Sequence, residues 1–104
     1  MNQEANPGGQ DLDRYPAKSK DTAHRIMAGE AIAVNFQSSF FYSLNQVGTF
    51  IWERCDGRHT VSQIAAALAE EYDVDRDQAA RDCQEFIAGL VAEGMLTWSS
   101  GPEV

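Results

Sequence analysis

The sequence contains few of the residues and motifs that support catalysis. Its 104 residues include two cysteines and two histidines. Neither Cys55 nor Cys83 has a CxxC or other metal-ligand pattern around it. The chain also has no GxSxG motif, no phosphate-binding glycine loop and no dinucleotide-binding fingerprint. We therefore expect no catalytic residues, no metal site and no cofactor.

Long apolar runs are absent as well. No stretch approaches the roughly 18–20 apolar residues that span a bilayer. The N-terminal sequence, MNQEANPGGQDLDRYP, lacks the charged-then-apolar layout of a signal peptide. We expect a cytoplasmic protein that has no membrane partner.

Basic residues are scarce, and this limits the classes of partner. The chain has 8 lysines and arginines against 16 acidic residues, which gives a formal net charge of −8. From Val61 onward there are nine acidic residues and only two arginines. Nucleic-acid binding rests on neutralising phosphates, which requires the opposite balance. We therefore expect no nucleic-acid partner.

What is present indicates one small globular domain. Residues 1–18 have few apolar side chains and include Pro7-Gly8-Gly9, so they are predicted to be a flexible tail. Residues 19–98 form the predicted domain, and residues 99–104 form a short C-terminal tail.

The first half of this domain has strand-like patterns. A short strand is predicted at Thr22–Met27, followed by a hairpin whose turn is Gln37-Ser38-Ser39. Apolar side chains alternate along both arms of the hairpin: Ile32, Val34 and Phe36 on the first, Phe40, Tyr42 and Leu44 on the second. This pattern predicts one buried apolar face, with Phe41 on the other face.

The second half has three helix starts. Asn45 is a good N-cap, Thr60 and Gln63 have capping-box spacing, and Asp75 begins a third helix that ends near Glu93 and Gly94. The segment Met95–Trp98 is compatible with either a strand or a docked tail. The predicted fold class is α+β and winged-helix-like, with a three-stranded antiparallel sheet followed by a three-helix bundle.

The third helix has more apolar surface than packing on one side requires. At about 100° per residue, one stripe, predicted to be core, contains Ala79, Cys83, Phe86 and Leu90. A second stripe contains Ala80, Ile87 and Val91. Either neighbouring elements cover both stripes, or the second stripe lines a groove.

A set of spaced residues resembles the PqqD-like family. The pattern LN…G..IW…DG..TV..IA..L…Y is matched by Leu44-Asn45, Gly48, Ile51-Trp52, Asp56-Gly57, Thr60-Val61, Ile64-Ala65, Leu68 and Tyr72. The resemblance extends from about residue 22 to residue 96. Each matched residue also has a structural reason for its position, so the set identifies the fold more than the activity.

The resemblance implies a non-catalytic, peptide-binding adaptor, also called a recognition element for ribosomally made peptides. Such a protein binds the leader segment of a precursor peptide by strand addition and presents it to a modifying enzyme, often a radical S-adenosylmethionine enzyme. The pathway would be pyrroloquinoline quinone biosynthesis or a related one. Carried onto this sequence, the peptide site would comprise Phe40, Phe41, Tyr42, Ser43, Leu44, Ala80, Arg81, Gln84, Ile87, Ala88 and Val91.

Two other functions are compatible with the same patterns. One is a winged-helix DNA-binding regulator, which the five acidic residues between Asp75 and Glu93 disfavour. The other is a structural module whose wide helix stripe closes a homodimer. The adaptor would be a monomer or a weak homodimer.

Overall fold

The structure, a computed structural model that describes residues 12–102, consists in that range of five strands and three helices. Their order is β1 (Tyr15–Lys18), β2 (Thr22–Met27), β3 (Glu30–Asn35), β4 (Phe41–Ser43), α1 (Gln46–Glu53), α2 (Val61–Tyr72), α3 (Arg76–Ala92) and β5 (Leu96–Ser99). The predicted α+β class, with a three-stranded sheet before three helices, is confirmed. No helix within residues 12–102 is long and apolar enough to cross a bilayer.

Strands β2, β3 and β4 form an antiparallel sheet in chain order. Ala28 and Gly29, both with positive φ, make the tight turn between β2 and β3. The predicted buried face of β3 is wrong, because the buried residues are Ala31, Ala33 and Asn35. Phe36 is exposed, and Ile32 and Val34 are only half-buried. Small side chains on the inner face allow the helices to approach the sheet closely. Side-chain size therefore determines which face of β3 is buried more than hydrophobicity does.

All three predicted helix starts are confirmed. Asn45 Oδ1 accepts a hydrogen bond from Gly48 N at 2.8 Å at the start of α1. Thr60 and Gln63 form a reciprocal capping box before α2. Asp75 caps α3 by accepting hydrogen bonds from the backbone of Asp77 and Gln78.

The core lies between the inner face of the sheet and the helices. Its largest fully buried side chains include Trp52, Ile51, Ile64, Ile87 and Met95. Both cysteines are buried and free, as predicted for Cys83. Burial raises the pKa of each thiol to about 12.

A separate two-stranded ribbon joins the two ends of the described chain. Strand β1 pairs antiparallel with β5, with Tyr15 opposite Ser99. The segment left open by the sequence, Met95–Trp98, is therefore largely strand, and the predicted tail at residues 1–18 is too long. Strand β1 is only four residues long and contains Pro16, so it has no recognisable strand pattern in the sequence. Residues 1–11 of that tail, and residues 103–104 of the C-terminal one, lie outside the described residues.

Lys18, a half-buried cation, helps to attach the ribbon to the core. Lys18 Nζ donates hydrogen bonds to the carbonyl oxygens of Trp52, at 2.8 Å, and Cys55, at 3.1 Å. These carbonyls belong to the C-terminal end of α1, which favours positive charge. Burial lowers the pKa of Lys18.

Candidate functional site

Strand β4 lies at the edge of the sheet, and its backbone has two sides. On the side of β3, Phe40 O accepts a hydrogen bond from Asn35 N, and Leu44 N donates one to Ala31 O. Hydrogen-bonded and non-hydrogen-bonded pairs alternate in an antiparallel ladder. Phe41 and Ser43 therefore turn their N–H and C=O groups away from β3, towards the outer edge. Within residues 12–102, no strand of the sheet pairs with that edge.

The side chains of β4 are divided between the two faces of the sheet. Tyr42 and Leu44 point towards α3, and the Phe40 ring stacks on Tyr42 with a centroid distance of 6.5 Å. Phe41 lies on the opposite face, next to Val34 of β3, and is 67% exposed. The sequence prediction that Phe41 lies on the other face of the hairpin from Tyr42 and Leu44 is therefore correct.

Two open cavities lie between β4 and α3, and Phe86 and Leu44 line both. One has a volume of about 320 Å³ and is also lined by Tyr42, Glu85, Gly89, Leu90 and Glu93. The other, of about 340 Å³, lies towards the start of α1 and is also lined by Ser43, Asn45, Val47, Gly48, Ile51 and Asp82. We call the two cavities together the β4–α3 cleft.

Two buried polar residues fix the walls of this cleft. Thr49 Oγ1 accepts a hydrogen bond from Ala31 N at 2.8 Å and donates one to Leu44 O at 3.3 Å, which connects α1 to β3 and the end of β4. Asn35 Nδ2 donates to Gly94 O at 2.8 Å, just beyond α3. Asn35 Oδ1 accepts from the backbone of Gln37 and Ser38 in the turn before β4. Through these hydrogen bonds, Thr49 and Asn35 hold the edge of the sheet at a defined position relative to the helices.

The residues of α3 that line the β4–α3 cleft differ from those that the sequence predicts for the peptide site. At about 100° per residue, the cleft-lining flank of α3 carries Asp82, Glu85, Phe86, Gly89 and Glu93. Ala80, Gln84 and Val91 lie on the opposite flank and line neither cavity, and they are half-buried. Arg81 and Ala88 lie on the exposed side of the helix between these flanks.

The predicted roles of two adjacent residues are reversed. Ile87, which was assigned to the groove, has no exposed surface and belongs to the core. Phe86, which was assigned to the core, is half-buried and lines the cleft. The core stripe of α3 is in fact Ala79, Cys83, Ile87 and Leu90. The side of α3 that faces the core is rotated about the helix axis, relative to the prediction, by less than the angle between successive residues. This small rotation moves Ile87 into the core and Phe86 out of it.

The predicted site also omits Gly89, although a glycine inside a predicted helix is a signal that the sequence itself contains. Gly89 lies in the interior of α3, where glycine costs about 0.5–1 kcal/mol relative to alanine. A Cβ atom at this position would have no heavy atom within 4 Å, so packing does not require glycine. The open space beside its backbone instead allows a ligand backbone to approach α3 closely.

Comparisons with known proteins agree with this architecture. The family model of PqqD, coenzyme PQQ synthesis protein D, matches residues 30–96. No curated protein sequence matches the chain significantly. Among solved structures, TbiB1 in complex with the TbiA(beta) leader peptide has a TM-score of 0.72 and 24% identity, with 85% of this chain and 99% of that chain covered.

Two further solved structures have the same fold. Lasso peptide synthetase B1 complexed with its leader peptide has a TM-score of 0.73 and 22% identity, covering 80% of this chain and 98% of that chain. The PqqD part of Methylobacterium extorquens PqqCD, described as a functional, stand-alone recognition element, has a TM-score of 0.65 and 25% identity, covering 79% and 87%. With the family model matching more than half of its residues, this chain belongs to the PqqD family.

Proposed function

We propose that this chain is a peptide-binding adaptor: it binds the leader segment of a precursor peptide and presents it to a modifying enzyme. The observation that carries the proposal is the unpaired edge of β4 next to the β4–α3 cleft. Membership of the PqqD family supports it, as do two similar folds whose structures contain leader peptides.

The binding mode is strand addition. An extended peptide next to β4 would pair its backbone with the outward-facing groups of Phe41 and Ser43. Every second side chain of such a peptide would point towards α3 and enter the cavities on either side of Phe86. Main-chain pairing would supply affinity for any extended peptide, and the cavities would select among side chains.

The proposed site differs from the sequence-based one only on the helix. It keeps Phe40–Leu44 and replaces the flank containing Ala80 by the flank containing Phe86 and Gly89. In this proposal the chain contributes no catalytic group, and the chemistry belongs to the partner enzyme. By family resemblance that partner is a radical S-adenosylmethionine enzyme, in pyrroloquinoline quinone biosynthesis or a related peptide pathway.

A proline scan of β4 tests strand addition directly. Proline lacks the N–H donor, so Ser43→Pro removes an outward-facing donor, whereas the matched variant Tyr42→Pro removes one that faces β3. We expect Ser43→Pro to remain folded and to bind leader peptides at least tenfold more weakly. Tyr42→Pro should instead lower the melting temperature sharply.

The measurement is a fluorescence anisotropy titration with synthetic leaders from precursor genes near the gene for this chain. Thermal melting of the same samples serves as the control for folding. Hydrogen exchange of the wild-type protein provides an independent readout, since added peptide should protect the amides of Phe41 and Ser43. A folded Ser43→Pro variant with wild-type affinity, together with unprotected edge amides, would refute strand addition at β4.

A further inference from the structure

We infer that the peptide taken by this cleft is basic, with lysine or arginine next to its apolar anchor residues. This inference rests on the proposed function and specifies the class of leader. The site is the cleft itself, formed by a free strand edge and two apolar cavities. The charges that surround it determine which peptide it accepts.

The charged residues at the cleft all have the same sign. Asp82 lines the cavity near α1, and Glu85 and Glu93 line the other. Within residues 12–102, no lysine or arginine lines either cavity. The facing wall is uncharged, because β4 and the cleft-lining part of α1, residues 45–51, contain no ionisable acid or base except the Tyr42 phenol. We call Asp82, Glu85 and Glu93 the acidic rim of the cleft. The facing wall provides no positive charge that would neutralise it.

The hydrogen bond that one of these acids makes does not remove its charge. Asp82 Oδ1 accepts a hydrogen bond at 2.8 Å from the neutral amide of Gln78. Arg81, the nearest arginine in sequence, donates instead to Gln78 at 3.1 Å from the exposed side of the helix. An incoming lysine or arginine would thus meet a carboxylate, while an incoming acidic side chain would be repelled.

The floor of the cleft has the opposite character from its rim. Phe86, Leu44, Tyr42 and Leu90 provide apolar surface between β4 and α3. In an added strand, side chains that face α3 recur at every second residue. Lysine and arginine can pack their aliphatic stems along such a surface and place their charge at its border. The matching leader has apolar residues an even number of positions apart and basic residues near them.

Selection from a random library tests this without knowledge of the natural leader. The full chain is used to select binders from a display library of random 12-residue peptides. We expect enrichment of lysine and arginine over aspartate and glutamate, and weaker binding of the selected peptides at higher salt. The triple variant Asp82→Asn, Glu85→Gln, Glu93→Gln should lose this bias and bind the best wild-type peptide about tenfold more weakly.

A second triple variant provides the matched control. Glu70→Gln, Glu71→Gln, Asp73→Asn changes the net charge equally but at the end of α2, away from the cleft. It should keep the basic bias and the affinity.

The outcomes separate the two proposals. The basic-leader inference is refuted if the selected peptides are not enriched in basic residues, or if the triple variant of the cleft selects the same basic peptides. Neither outcome contradicts strand addition. If no peptide is enriched, or if enriched peptides bind Ser43→Pro normally, the proposed function itself fails.

Discussion

Phe86 connects the core of the domain to the surface of its cleft. A Cβ atom placed on Gly48 would lie 3.1 Å from Phe86 Cε1, so the phenylalanine ring packs directly on the start of α1. The same residue lines both cavities. Ile87, one position further along, has no exposed surface. Loss of the two side chains should therefore have different consequences.

Substitutions at these neighbours separate stability from binding. Ile87→Asp places a carboxylate without a partner in the core. The loss of folding free energy should exceed the about 2–5 kcal/mol that a buried Ile→Ala truncation costs. We expect that variant to be unfolded. Phe86→Ala should cost less than the about 3–5 kcal/mol of a fully buried phenylalanine, remain folded and lose peptide binding. Thermal melting and peptide titration measure both effects; equal melting temperatures for the two variants would show that Phe86 acts only in the core.

The sequence contains too little information to assign these two residues. Both are large and apolar, and both lie within the wide apolar arc of α3. Their assignment depends on the rotation of the helix about its axis, which is set by tertiary contacts with α2 and β5 and not by the apolar pattern of the helix itself. The residues of β4 were easier to predict, because the alternation of faces in a strand leaves only two choices.

At the scale of elements, α3 combines a packing face with an open flank. Gly89 lies on that flank with space around it. We expect Gly89→Ala to stabilise the domain by about 0.5–1 kcal/mol, which corresponds to a rise of a few degrees in melting temperature. Gly89→Leu should also keep the fold but fill the cavity, so that peptide affinity falls at least tenfold.

The control for this pair is Ala88→Leu, which adds the same side chain on the solvent side of the helix. It should leave peptide affinity unchanged. If Gly89→Leu binds as tightly as Ala88→Leu does, the peptide does not approach this part of α3.

Elements with local signals were predictable, and those without were not. Asn45, Thr60 and Asp75 start their helices through hydrogen bonds within three residues, so the sequence alone identifies them. Strand β1 has no such signal, because its partner β5 lies about 80 residues away and its pattern includes Pro16. The edge position of β4 followed from the family resemblance rather than from the alternation pattern.

At the scale of the whole molecule, the two buried thiols link stability to pH. Burial raises the pKa of Cys55 and of Cys83 from 9.0 to about 12. The folded state therefore keeps these protons when the unfolded chain loses them, and the stabilising contribution is complete below pH 9 and is lost as pH rises towards 12.

We expect the midpoint of urea unfolding to decrease as the pH is raised from 9 to 12. In a Cys55→Ala, Cys83→Ala variant this decrease should be less steep. At pH 8 the native thiols should react with a disulfide reagent only as fast as the protein unfolds. Rapid labelling of the folded chain would show that at least one thiol is accessible.

The β1–β5 ribbon gives the domain the geometry of an insertable module. Because Tyr15 lies opposite Ser99, the polypeptide enters and leaves the fold side by side. A unit with adjacent ends can be placed within a loop of a larger protein, or joined to another polypeptide at either end, without displacing β4 or α3. By the same geometry, we expect a circular permutant with new ends at the exposed Ala28-Gly29 turn to fold. The architecture thus allows the same cleft to operate as a free carrier or as part of a multidomain assembly.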